Sequence, residues 1–182
     1  MPFYLSRKIA HVSAGLIIAP WPLVFHGLLW PVLLPLGFLG ILAASHNSEI
    51  FHGFARKGRW SELWFAGAVL LFVLALWWLN PWAAILPGLW LAFGDAVTGV
   101  TRAILYKQEV KGWWGTAACG IVCVALGFLV QPVWLGILAG GVATLAERYC
   151  GDAKGSLLRI DDNIAMPIAG GLVLLIGLLI LR

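Results

Sequence analysis

Seven stretches of nearly unbroken apolar residues divide the chain, at about 9–25, 28–44, 62–79, 82–105, 114–130, 132–149 and 164–181. Each approaches the roughly 20 residues with which an α-helix crosses a bilayer, so the pattern predicts about seven transmembrane helices. The boundaries between them alternate in kind. His26-Gly27, Asn80-Pro81 and Gln131-Pro132 leave room only for tight hairpins, whereas 45–60, 106–113 and 150–163 are polar segments. Seven alternating spans bring the N-terminus and these three polar segments to one side of the membrane.

That side receives Arg7, Lys8, Arg56, Lys57, Arg59, Arg102, Lys107, Lys111, Arg148, Lys154 and Arg159, with Arg182 alone opposite. Lys and Arg in short loops mark the cytoplasmic face, which predicts an N-terminus inside and a C-terminus outside. Acidic residues do not obey that rule, yet Glu49, Glu62, Asp95, Glu109, Glu147, Asp152, Asp161 and Asp162 fall on the same side. Charges of both signs meeting at one surface suggest a site as well as an orientation signal.

Composition agrees with a membrane protein. Of the 182 residues 62% are hydrophobic and 11% charged, against about 25% charged in ordinary globular domains, and the mean hydropathy is +0.94. One integral-membrane domain over 1–182 is expected, with no soluble domain beside it. The net charge of +4 and pI near 9.2 do not form a basic stripe interleaved with aromatics, so nucleic acid is not an expected partner. The basic, apolar start resembles a secretory signal, but Arg7, Lys8 and His11 run into the apolar stretch with no clear A-x-A site, and the segment reads as the first span. Cys119, Cys123 and Cys150 form no CxxC pair and read as small packing residues. Trp21, Trp30, Trp60, Trp64, Trp82 and Trp134 fall near predicted membrane interfaces. Gly136 and Gly140 form a GxxxG suited to close helix packing, with Gly141, Gly170 and Gly171 as further small positions.

Five constellations carry candidate chemistry. Arg7, Lys8 and His11 share one face of the first helix at spacings of three and four, with His11 a turn deeper in apolar surroundings. Interfacial snorkelling accounts for the cations less well once His11 is included. Asp95, Thr98, Gly99 and Arg102 follow i, i+3, i+4, i+7 inside the fourth window and form one polar face. A carboxylate within a span costs about 2.5–3.5 kcal/mol on insertion scales, so it is paired, hydrated or functional; a structural tie to Arg102 is the simplest alternative. Lys111-Gly112-Trp113-Trp114-Gly115-Thr116 opens the fifth helix, where backbone N–H groups and an ammonium suit phosphate oxygens, although an ordinary loop-to-helix boundary looks similar. Glu147 lies beside Arg148, a ready local partner. Asp161-Asp162-Asn163 opens the last helix, where adjacent carboxylates favour Mg²⁺ shared with substrate phosphates and a helix cap by Asp162 or Asn163 is the plainer reading.

In this order, Arg7-Lys8-x-x-His11, Gly94-Asp95-x-x-x-Gly99, Lys111-Gly112-x-x-Gly115-Thr116, Glu147 and Asp161-Asp162-Asn163-x-x-x-Pro167, the chain resembles the dolichol kinase and phytol kinase family of CTP-dependent lipid-alcohol kinases. The resemblance runs from Arg7 to about Gly170. It implies transfer of the γ-phosphate of CTP to a polyisoprenoid alcohol at the cytoplasmic face, with Mg²⁺ or another divalent cation as cofactor. Lys111 and the amides from Gly112 to Thr116 are then expected to hold the triphosphate, aided by Thr98, Gly99, Arg102 and Asn163. Asp161, Asp162 and Glu147 are expected to hold the metal, and Arg7 and Lys8 to neutralise phosphate charge beside His11. Asp95 is the candidate base or a further metal ligand. A CTP-dependent diacylglycerol kinase is a relative of that family, and a lipid-phosphate cytidylyltransferase a more distant one whose Pro-Gly-His-Gly-Gly signature is missing here. A small transporter is the alternative outside enzymology, but the outer halves of the spans offer it almost no ionisable residues. A prokaryotic source would place the chain in the plasma membrane, and a homodimer is left open.

Overall fold

In the computed structural model the described residues are 2–45, 61–106, 111–151, 157, 158 and 160–182, with the backbone alone described for 2–7, 10, 45, 61, 62 and 162. The expected loop charges Glu49, Arg56, Lys57, Arg59, Lys107, Glu109, Asp152, Lys154 and Arg159 lie outside them, as do the side chains of Arg7, Glu62 and Asp162.

The fold is all-helical. The order is α1 (Pro2–Ile18), α2 (Trp21–Val24), α3 (Leu29–Ser45), α4 (Ser61–Leu76), α5 (Pro81–Leu89), a π turn (Trp90–Gly94), α6 (Asp95–Leu105), α7 (Trp113–Gly127), α8 (Val133–Tyr149) and α9 (Asp162–Ile180). Each apolar window has become helix. The first departs most: helix begins at Pro2, so Lys8 and His11 stand in its interior, and it breaks near Pro20 before the single turn of α2. Among the described residues two helices are long and apolar enough to cross a membrane, Pro81–Leu105 with 25 residues and Asn163–Ile180 with 18. His11–Val24, Leu29–Ala44, Leu63–Leu76 and Trp113–Gly127 are apolar but shorter.

The turns follow local chemistry. Asn80 accepts hydrogen bonds from the backbone N–H of Trp82 and Ala83, capping α5, and Pro81 takes the first helical position, where its missing N–H costs nothing. Asp161 caps α9 in the same manner, accepting from the Asn163 N–H at 3.0 Å. The Gln131–Pro132 peptide is cis in the hairpin between α7 and α8.

Side chains from α4, α5, the π turn, α7, α8 and α9 fill the core, with Phe72, Leu86, Leu89, Trp90, Leu135, Met166 and Leu174 all buried. Trp90 satisfies its indole by donating to the Cys123 carbonyl at 2.9 Å. α7 and α8 pack at backbone contact: a Cβ on Gly136 would collide with the Gly127 carbonyl, and one on Gly140 would lie 2.6 Å from the Cys123 carbonyl oxygen. The three cysteines are buried, as packing residues should be. Trp30, Trp64 and Trp134 are exposed, but Trp21 belongs to the core. Trp60 lies outside the described residues.

Candidate functional site

The polar interior starts at the π turn. Pro87 has no N–H to give the carbonyl one turn earlier, and a few residues later the α5 hydrogen-bond ladder widens into the π turn ending at Gly94. Asp95 opens the regular helix that resumes there and is buried. Gly15 lets α1 close on this turn, since a Cβ on it would lie 2.6 Å from that of Ala92 and 3.0 Å from the Phe93 ring.

That approach brings two α1 side chains to Asp95. Lys8 Nζ lies 2.5 Å from Asp95 Oδ2 and donates to the Asp95 carbonyl at 3.2 Å. His11 Nδ1 lies 3.3 Å from the same Oδ2, with the ring stacked on Phe65 at 5.6 Å and 16°. The histidine contact is electrostatic proximity without hydrogen-bond alignment, and neither ring nitrogen makes a hydrogen bond. Lys8, His11 and Asp95 are each less than a tenth exposed. Lys8 and His11 of the first constellation and Asp95 of the second therefore form one cluster.

The second cluster surrounds Glu147, which is fully buried. Its Oε1 lies 2.5 Å from Arg102 Nη2 and 2.7 Å from Lys111 Nζ, and the ammonium also donates to the Glu147 carbonyl at 2.6 Å. Arg102 thus pairs with Glu147 and not with Asp95, and Glu147 does not pair with its neighbour Arg148. The Arg148 guanidinium donates instead to the Lys111 carbonyl and lies 5.0 Å over the Trp113 ring. Thr98 joins the two clusters on α6, donating to the Gly94 carbonyl at 2.8 Å and lying 3.4 Å from the Gly115 carbonyl. A Cβ on Gly115 would meet Thr98 at 3.2 Å and Arg102 at 3.5 Å, so this glycine sets the spacing of α7 from α6.

Comparison with known proteins finds no match: no family model, no curated protein and no solved structure.

The remaining expected residues fall as follows. Gly112 begins α7 without a side-chain cap, and Thr116, one turn in, is buried with its hydroxyl 3.4 Å from the Gly112 carbonyl. Gly99 and Thr98 are buried along α6. Asn163 is 1% exposed, and neither its amide oxygen nor its nitrogen has a hydrogen-bond partner. It precedes by one turn Met166, whose methyl group would lie 2.8 Å from a Cβ on Gly94, so α9 meets the π turn beside Asp95. Arg102 Nε and Glu147 Oε2 are also buried without partners. Buried polar atoms are nearly always hydrogen-bonded, and functional sites are one place where exceptions collect.

Of the three carboxylates expected to bind metal, Glu147 takes two cations, Asp161 caps α9, and the side chain of Asp162 lies outside the described residues. Among the described residues no three His, Cys, Asp or Glu side chains stand close enough to hold a metal ion. Sequence reasoning missed Phe65, which orients His11 by stacking, and no local signal marks it. The long-range pairing of Glu147 was equally invisible, because its partners lie 45 and 36 residues away.

Proposed function

We propose that this chain is an integral-membrane enzyme that transfers the γ-phosphoryl group of CTP to the hydroxyl of a polyisoprenoid alcohol at the cytoplasmic face of a seven-span bundle. The observation that carries this reading is the pair of buried ionic clusters, Lys8–His11–Asp95 and Arg102–Glu147–Lys111, joined along α6. Around them the outward faces are apolar, with Ile9, Leu16 and Ile17 of α1 and Val100 and Ile104 of α6 exposed. An ionic interior within an apolar exterior suits a chain whose surroundings are lipid. The 17 residues each of α1, α3 and α8 would reach about 25 Å at 1.5 Å per residue, near the thickness of the hydrocarbon core.

Phosphoryl transfer asks mainly for positioning and neutralisation of charge. In this reading Arg102 and Lys111, braced by Glu147, lend positive potential to the start of α7, where the backbone around Gly112, Gly115 and Thr116 receives the triphosphate. Asn163 offers a donor and an acceptor to the nucleotide, and the Lys8–His11–Asp95 cluster receives the alcohol, with Arg7 on the same helix. Mg²⁺ would accompany the nucleotide phosphates with Asp161 and Asp162 as its protein carboxylates. The described residues do not assemble a metal site by themselves.

The test is direct. The purified chain in lipid nanodiscs receives CTP labelled in the γ-phosphate together with geranylgeraniol, phytol, a long polyprenol or diacylglycerol. Label in the lipid fraction with release of CDP is expected, strongest with an isoprenoid alcohol. Pyrophosphate as the product would make the chain a cytidylyltransferase, and transfer to none of the alcohols would end the kinase reading.

A further inference from the structure

We infer that His11, through Nε2, is the group that takes the proton from the lipid alcohol, and that Asp95 positions His11 without acting as the base itself. The inference rests on the kinase reading and assigns within it the step that the sequence had given to Asp95.

The geometry of Asp95 argues for the exchange of roles. Its Oδ2 is held by the Lys8 ammonium at 2.5 Å, so the lone pairs of that oxygen face a cation. His11 presents the opposite situation. Its Nδ1 faces that same Oδ2 at 3.3 Å, and a carboxylate there favours the tautomer with hydrogen on Nδ1 and a lone pair on Nε2. Nε2 is buried and has no hydrogen-bond partner. The ring is fixed by stacking on Phe65, and helix α1 is fixed against the π turn at Gly15. A carboxylate beside an imidazole whose far nitrogen has no hydrogen-bond partner is the arrangement by which an alcohol oxygen admitted to the site is activated. The loose Nδ1 contact is what a site without substrate commonly shows, with alignment tightening in the reactive complex. In the step, the alcohol O–H bond breaks and its proton passes to Nε2. The oxygen forms a bond to the γ-phosphorus, the bond from that phosphorus to the bridging oxygen breaks, and the nucleoside diphosphate leaves with the bond electrons.

The experiment uses the full chain in nanodiscs with geranylgeraniol and labelled CTP, comparing wild type with His11→Ala, His11→Gln, Asp95→Asn and the double variant His11→Ala/Asp95→Asn. Removal of a general base is expected to lower kcat by about 10²–10⁴-fold in both His11 variants, with the KM for CTP unchanged. Added imidazole restores turnover to His11→Ala, where the ring's space is open, but not to His11→Gln. Since Asp95 and His11 act as one unit, the double variant is no slower than the slower single variant. Full turnover in either His11 variant overturns the inference and leaves the kinase reading standing. So does a loss in folded His11→Ala that imidazole fails to restore. If His11→Ala does not fold, the kcat and KM of His11→Gln decide. Absence of transfer by the wild-type chain to any alcohol, with any nucleoside triphosphate, overturns both.

Discussion

Glu147 is a carboxylate with no exposure to solvent, gripped on one oxygen by two cations from different helices. Taking ions out of water is costly, and their mutual attraction offsets that cost only while all members are present. Glu147→Leu therefore strands Arg102 and Lys111 in the interior and should destabilise the chain by about 3–5 kcal/mol, read as a fall in the unfolding midpoint in detergent or nanodiscs. Adding Arg102→Met to that variant removes one of the stranded charges and should recover part of the loss. A double variant as unstable as the sum of its single substitutions would show that the pair does not couple. Asp95 and Glu147 both fall within apolar runs and could be suspected of burial, whereas Lys111, in a polar segment, could not, and it is 2% exposed. The partners of the two carboxylates could not be foreseen. Arg102 stands two helical turns beyond Asp95, about 10 Å along the axis, on a face that looked like a natural tie. The structure gives Asp95 to Lys8 across 87 residues of sequence and Arg102 to Glu147 across 45.

Helices were the most legible level, because each apolar run is long enough to declare itself whatever it packs against. The small-residue contact at Gly136 and Gly140 could also be anticipated from residue type, whereas the cap of α9 falls on Asp161 and not on Asp162 or Asn163. The π turn could not be anticipated, since a register offset of one residue changes neither composition nor hydropathy. Trp21 shows a related limit: aromatic residues at the end of an apolar window look interfacial, and only the neighbouring helices reveal that Trp21 packs into the core. The contact between α7 and α8 yields a test at this scale. A side chain at Gly136 must push two backbones apart, and overpacking costs about 1–3 kcal/mol, so Gly136→Val should lower the unfolding midpoint and reduce turnover by shifting Glu147 on the same helix. Gly141 faces open space, and Gly141→Ala should be neutral or stabilise by about 0.5–1 kcal/mol. Equal effects of the two substitutions would mean that the helices do not touch at Gly136.

Seven alternating spans would give the whole molecule a defined sidedness. His26 lies in the exposed turn between α2 and α3, while Lys57 belongs to the polar segment after α3. The three native cysteines are buried and should stay silent to a membrane-impermeant maleimide. Intact cells should then label His26→Cys and Arg182→Cys, and Lys57→Cys only after permeabilisation. Labelling of all three from outside would sink the alternating arrangement and with it the common cytoplasmic site. The long helix Pro81–Leu105 belongs to both worlds: its first half is wholly apolar core and its second half bears the polar face. Because one residue of helix corresponds to about 100° of rotation, the widened turn between the halves sets their azimuths independently. Trp90 can look into the bundle while Asp95 is aimed at α1. A chain shortened by a single residue at 91–93 would close the widened turn into regular helix and leave both halves seated, whereas the same extra residue carried in an unbroken α-helix would swivel one half by more than a quarter-turn out of its socket.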